Sequence, residues 1–187
     1  MDFSYTVYRK RDVVPSLWDG GQTFEYHIFP ETAVYADRDF LFRFSSASIE
    51  KVPSKFTRFK GYSRFLVMLD NDLELVRNGI EEHYTPEDVF VFDSDDEIVS
   101  NSLGNDFNLM VSQKIKSAQV QIAKGYIHMA EPYGFFFARA ETRISCNGFS
   151  AELEAGDLLL VQNAGEVKLS FFSNEIIITG FFCCNLF

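Results

Sequence analysis

Histidine is scarce in this chain. Among 187 residues there are three, His27, His83 and His128, and no two form a His-x-His pair. That pair lets one β-strand aim two imidazoles at one cation, so neither a transition-metal centre nor any other cofactor is expected. Cysteine is equally sparse. Cys146, Cys183 and Cys184 make an odd number, and with no secretion signal that argues against a disulfide framework. Cys183-Cys184 reads as two small residues ending the last strand. The ending Cys184-Asn185-Leu186-Phe187 fits a prenylation box poorly, because Asn185 is not aliphatic and no basic cluster precedes it.

Basic charge is in deficit. Seventeen Lys and Arg face 27 Asp and Glu, giving a net charge of −10 and a pI near 4.7. Such a chain repels phosphate backbones, so no nucleic-acid partner is expected. Long hydrophobic runs are missing too. The apolar runs have strand length, short of the ~18 residues of a membrane helix. Met1 to Arg11 is polar, unlike a signal peptide, so no membrane association and a cytoplasmic location are expected. No local Ser-His-Asp or Cys-His motif occurs, and Gly20-Gly21 lacks the Lys-Ser/Thr of a phosphate loop.

Aromatic residues, by contrast, are plentiful: 21 are Phe, and aromatics reach 16%. Aromatic and β-branched side chains suit pleated surfaces, which points to β structure. Short apolar or alternating runs recur along the chain, among them Tyr26 to Phe29, Leu41 to Ile49, Phe65 to Leu69 and Phe107 to Val111. Further runs are Ala118 to Ile122, Phe135 to Ala138, Leu158 to Val161, Val167 to Phe172 and Glu175 to Phe182. Turn signals such as Asn78-Gly79 and Asn147-Gly148 separate them. Many short strands predict an all-β sandwich or barrel without amphipathic helices. The dense acidic run Asp93 to Glu97 reads as a solvated turn.

The two Asn-Gly turns lie 69 residues apart. At that offset Glu87-Asp88 and the apolar run Val89 to Phe92 fall on Gly156-Asp157 and Leu158 to Val161. Phe107 to Val111 falls on Ile176 to Gly180. Strand, hairpin, strand, acidic turn and strand thus recur in one order without a gap, which predicts a two-fold repeat. In each half a turn, Pro86-Glu87-Asp88 or Ala155-Gly156-Asp157, precedes four apolar residues, as it does before the inward-facing strand of cupin barrels.

Four N-terminal segments carry a more specific likeness. They are Trp18-Asp19-Gly20-Gly21-Gln22-Thr23-Phe24-Glu25, Phe42-Arg43-Phe44-Ser45-Ser46-Ala47-Ser48-Ile49, Phe56 to Arg64 and Asp106-Phe107-Asn108-Leu109-Met110. Together, in this order, they resemble the signature segments of the HutD/Ves family over residues 14 to 111. Asp19, Gln22 and Lys60 depart from the family pattern. The resemblance implies a bicupin, two RmlC-like jelly-roll β-barrel halves in one chain, with residues 1–115 as the first barrel and 116–187 as a second packed closely on it. It also implies a family found beside histidine-degradation genes, whose members bind or regulate through small molecules such as formylglutamate.

Side chains two apart in a strand share a face. Arg43, Ser45 and Ala47 therefore point one way, and Thr23, Glu25 and His27 share a face of their own strand. An Arg in an apolar strand must be exposed, paired or used for a ligand. An internal Arg43–Glu25 ion pair and an Arg-lined pocket are both compatible with the pattern. The expected pocket comprises Trp18, Thr23, Glu25, Arg43, Ser45 and Arg64, and the expected role is non-catalytic binding of a small acidic metabolite. Two other classes stay open: a metal-free isomerase or lyase using Glu25 or His27 as base, and a structural or partner-binding protein with a Phe-filled barrel. A homodimer is compatible with all three.

Overall fold

The computed structural model describes residues 3–184, so Asn185, Leu186 and Phe187 of the prenylation reading lie outside the described residues. Seventeen strands follow in chain order. The first eleven are β1 (Ser4–Tyr8), β2 (Ser16–Trp18), β3 (Gly21–Phe29), β4 (Phe42–Ile49), β5 (Ser54–Lys55), β6 (Tyr62–Met68), β7 (Leu73–Arg77), β8 (Ile80–Tyr84), β9 (Phe90–Asp93), β10 (Ile98–Ser100) and β11 (Gly104–Ser112). The rest are β12 (Ser117–Met129), β13 (Tyr133–Ala138), β14 (Thr142–Cys146), β15 (Phe149–Leu153), β16 (Leu158–Gln162) and β17 (Leu169–Cys183). The helical content among the described residues is two short 3-10 turns, Lys10–Asp12 and Tyr35–Asp37. The chain is all-β.

It divides into two compact units. One is Val13–Lys114, and the other joins Met1–Asp12 to Ile115–Phe187. This corrects the expectation that residues 1–115 form one barrel, because the opening strand belongs to the later unit. There β1 pairs antiparallel with β16, with Ser4 opposite Gln162 and Tyr8 opposite Leu158. The mixed polar run Ser4-Tyr5-Thr6-Val7-Tyr8 suits such an edge strand.

In the unit Val13–Lys114, a six-stranded sheet runs β2-β3-β4-β11-β6-β9 and a four-stranded one runs β5-β10-β7-β8. Leu66, Met68, Phe90 and Phe92 of the first and Leu73, Leu75 and Ile98 of the second form one buried cluster. The two sheets therefore face each other across a shared apolar core, each burying a face that could not stay in water. Burying one such Leu or Phe side chain contributes about 1.5–3 kcal/mol.

The other unit is built on a seven-stranded sheet, β1-β16-β13-β17-β14-β15, with β12 also on β17. β17 fuses two runs that read as separate strands in the sequence. Its C-terminal part pairs with β13 and its N-terminal part with β14, so the sheet curls around it. Phe136, Ile144, Phe149, Leu159, Val161 and Phe171 lie in its core cluster.

The hairpins follow from their turn residues. Asn78 and Gly79 have φ of 50° and 84°, and Asn147 and Gly148 have 36° and 81°. Two successive positive φ values make the tight turn whose twist matches its strands, and Asn-Gly adopts it with little strain. The registers correspond too: Leu73 opposite Tyr84 becomes Thr142 opposite Leu153, 69 residues on. Elsewhere the offset is not constant. Ser63 opposite Asp93 has its counterpart in Tyr133 opposite Gln162, one residue further on in the first strand. The pairing pattern repeats, but the ungapped alignment slips.

Candidate functional site

The six-stranded sheet places its polar residues by strand alternation and register. On β4, Arg43, Ser45 and Ala47 face the four-stranded sheet, with Phe42 and Phe44 opposite. Across β11, Met110 pairs with both Arg43 and Arg64, Asn108 with Ser45 and Leu66, and Asp106 with Ala47 and Met68. These rows line a cavity of about 340 Å³. Trp18, Thr23, Arg43, Ser45 and Arg64 all line it, together with Tyr35, Lys55, Phe56, Asp106 and Asn108.

Glu25 does not line the cavity and acts behind it. Arg43 Nε donates to Glu25 Oε2 at 2.6 Å, and Arg43 Nη1 donates to Ser45 Oγ at 3.1 Å. The Arg43 guanidinium also lies 4.2 Å from the Tyr35 ring centre, a cation–π contact that fixes its plane. Arg43 is 6% exposed, so this pairing offsets a burial that would otherwise be costly.

Arg64 is held differently. It is 8% exposed and sits 5.2 Å from the Phe92 ring centre and 5.5 Å from that of Phe56. Its Nη1 donates a long 3.5 Å bond to the Thr57 carbonyl, and its Nε has no hydrogen-bond partner among the described residues. Burial pulls its pKa below the usual arginine value, against the pull of Asp106. Asp106 is 4% exposed and accepts from Ala47 N at 3.2 Å. Its carboxyl is pushed up to about 7, chiefly by burial, with the Arg64 charge opposing. Asn108 Oδ1 is the second buried atom of this cavity without a partner. The arrangement offers hydrogen-bond donors and fixed positive charge in a dry pocket, which is how proteins hold small anions.

His27 is not part of it. β3 carries a bulge between Glu25 and His27, so Glu25 pairs with Ser45 but His27 pairs with Phe44. One extra residue turns His27 to the opposite face, beside Phe42 and Phe29. The expectation that Thr23, Glu25 and His27 share a face is corrected accordingly, and with it His27 as a base at this pocket. Burial holds its pKa below the usual histidine value. Among the described residues no group of three His, Cys, Asp or Glu side chains converges.

Two curled units of antiparallel strands, one with a polar cavity, define the chain as a cupin-like β protein. A profile of the HutD family matches residues 10–178, and the chain belongs to that family. Solved structures agree on the fold. A conserved protein of unknown function from Pseudomonas aeruginosa PAO1 superposes with a TM-score of 0.83 at 22% identity, over 97% of this chain and 100% of that one. HutD from Pseudomonas fluorescens SBW25 gives 0.79 at 24% identity, over the same shares. A bacterial pirin from Escherichia coli, solved with nickel(II), gives 0.68 at 8% identity, over 98% of this chain and 100% of its own. Among curated proteins none matches the sequence.

Proposed function

We propose that the unit Val13–Lys114 binds a small acidic metabolite, such as a formylglutamate-like carboxylate, without transforming it. Membership of the HutD family supports a role in histidine utilisation. A bicupin arrangement of the two units and a cytoplasmic location belong to the same proposal; no helix among the described residues is long and apolar enough to cross a membrane. With a net charge of −10, the partner is a metabolite and not a nucleic acid.

The observation that carries this reading is Arg64. A buried guanidinium with an unpartnered Nε, facing a cavity, is stabilised by an anion that brings its own acceptors. The net charge opposes anions at long range, but screening at ~0.15 M salt acts over roughly 8 Å, so local cations prevail. Charge-assisted hydrogen bonds contribute about 1.5–3 kcal/mol, so calorimetry with formylglutamate should show Arg64→Ala binding roughly 10- to 150-fold more weakly than wild type. Binding no tighter than millimolar by wild type, or equal binding by Arg64→Ala and Arg43→Ala, would refute the proposal.

A metal-free isomerase or lyase is the competing class, and Asp106 is the group that favours it, since a buried carboxyl near neutrality suits proton transfer. Turnover of the bound acid, followed by NMR and abolished in Asp106→Asn, would establish that class instead.

A further inference from the structure

We propose that Asn108 selects ligands that carry an uncharged N–H or O–H donor beside their carboxylate, and so excludes free amino acids and plain diacids. The inference rests on the carboxylate reading above and narrows it to a substrate class.

Two buried polar atoms of the cavity lack partners, and they are of opposite kind: Arg64 Nε is a donor and Asn108 Oδ1 is an acceptor. Each belongs to a residue at least nine-tenths buried, Arg64 at 8% and Asn108 at 6% exposure. A buried polar group left unsatisfied is costly, and native proteins rarely keep one without a use. Both residues line the same cavity.

Their placement is set by register. Asn108 on β11 stands opposite Leu66 on β6, and Arg64 is two residues before Leu66, on the same face. The two are diagonal neighbours, whose positions lie about 7–8 Å apart. A carboxylate at Arg64 therefore leaves the next one or two bonds of the ligand within reach of Asn108. A carboxylate or alkyl group there would leave the Asn108 oxygen unpaired, whereas a neutral donor completes it. An ammonium also donates, but it would enter a cavity that holds Arg43 and Arg64, where the low dielectric magnifies the repulsion. The ligand class that meets all three conditions is an N-acyl amino acid or a 2-hydroxy acid.

Calorimetry with four acids of one carbon skeleton tests this: N-acetylglutamate, 2-hydroxyglutarate, glutamate and glutarate. Wild type should bind one or both of the first two at least tenfold more tightly than glutarate and glutamate, and which of them leads tells amide from hydroxyl recognition. In Asn108→Leu, with a melting curve to verify folding, that preference should collapse to within threefold while glutarate binds as well as before. Should Asn108→Leu not fold, the wild-type ranking alone decides. Glutarate binding as tightly as the donor-bearing acids, or a preference that survives in Asn108→Leu, would overturn the assignment to Asn108 and leave the carboxylate reading standing. If none of the four acids binds, the carboxylate reading itself fails and this proposal falls with it.

Discussion

Asp106 shows how much one buried group can report. In the unfolded chain its carboxyl ionises near 3.8, and in the fold it keeps its proton to about 7. Between those values the native state holds a proton that the unfolded state has lost. The stabilising contribution of this group is therefore full below pH 3.8 and is lost as pH rises through 7. The same ionisation places a negative charge beside the proposed anion. Carboxylate affinity should thus fall about fivefold from pH 6 to pH 8, and Asp106→Asn should flatten that profile. Calorimetry at three pH values checks it, and an affinity that stays level or rises across that range in wild type contradicts it. Arg43, Ser45, Arg64, Thr23 and Trp18 were legible because alternation and the isolated charges within apolar strands single them out. Asp106 and Asn108 were not, because Asp106-Phe107-Asn108 reads as a family segment until register sets it opposite Ala47, Ser45 and Leu66. Tyr35 and Lys55 reach the cavity through backbone geometry that carries no periodic signal.

Among the elements, β3 decides the rim and the back of the site. Its first residue, Gly21, has φ of 150°, and a Cβ there would stand 1.8 Å from the Ser48 carbonyl oxygen. Backbone cannot yield as a side-chain tip can, so Gly21→Ala should force β3 from β4, at a loss of about 1–3 kcal/mol. Since Trp18 pairs with Gly21, the displacement should also open the cavity rim. A lower melting temperature together with weaker carboxylate binding is the expected result, and unchanged values for both would show that the close approach has no consequence. Further along, the bulge after Glu25 keeps that carboxylate on Arg43 and turns His27 away. Nothing in the composition of Glu25-Tyr26-His27 announces a bulge, because it arises from the mismatch between two paired strands and not from either alone. The hairpins, by contrast, could be read directly, since Asn-Gly states its own backbone geometry.

Across the whole molecule, the chain starts in one unit, builds the other, and returns. Asp157, 2% exposed, fastens the start: it accepts from Arg9 Nη1 at 2.6 Å, from Lys10 N at 2.9 Å and from Glu154 N at 2.9 Å. A chain beginning at Val13 would leave this buried carboxylate without its cation and the β16 edge without its partner. Breaking such a pair costs about 3–5 kcal/mol, so melting should fall by roughly 6–15 °C, with proteolysis concentrated in residues 115–184. An unaltered melting curve would show that the segment is dispensable. The sequence gave no warning of this exchange, because an edge strand of five mixed residues has a weak pattern and its partner lies some 150 positions away.

That exchange also has a consequence for synthesis. The ribosome makes Ser4–Tyr8 first, yet its partner Leu158–Gln162 is among the last strands to emerge. At ~5–20 residues per second the opening strand waits roughly 8–30 s with both edges bare. Val13–Lys114 can fold throughout that interval, because all its pairings close within itself. The waiting strand is followed directly by Arg9, Lys10 and Arg11, three like charges that discourage two nascent chains from zipping together. The same basic run that later docks on Asp157 and Glu154 serves, until then, as its guard against premature pairing.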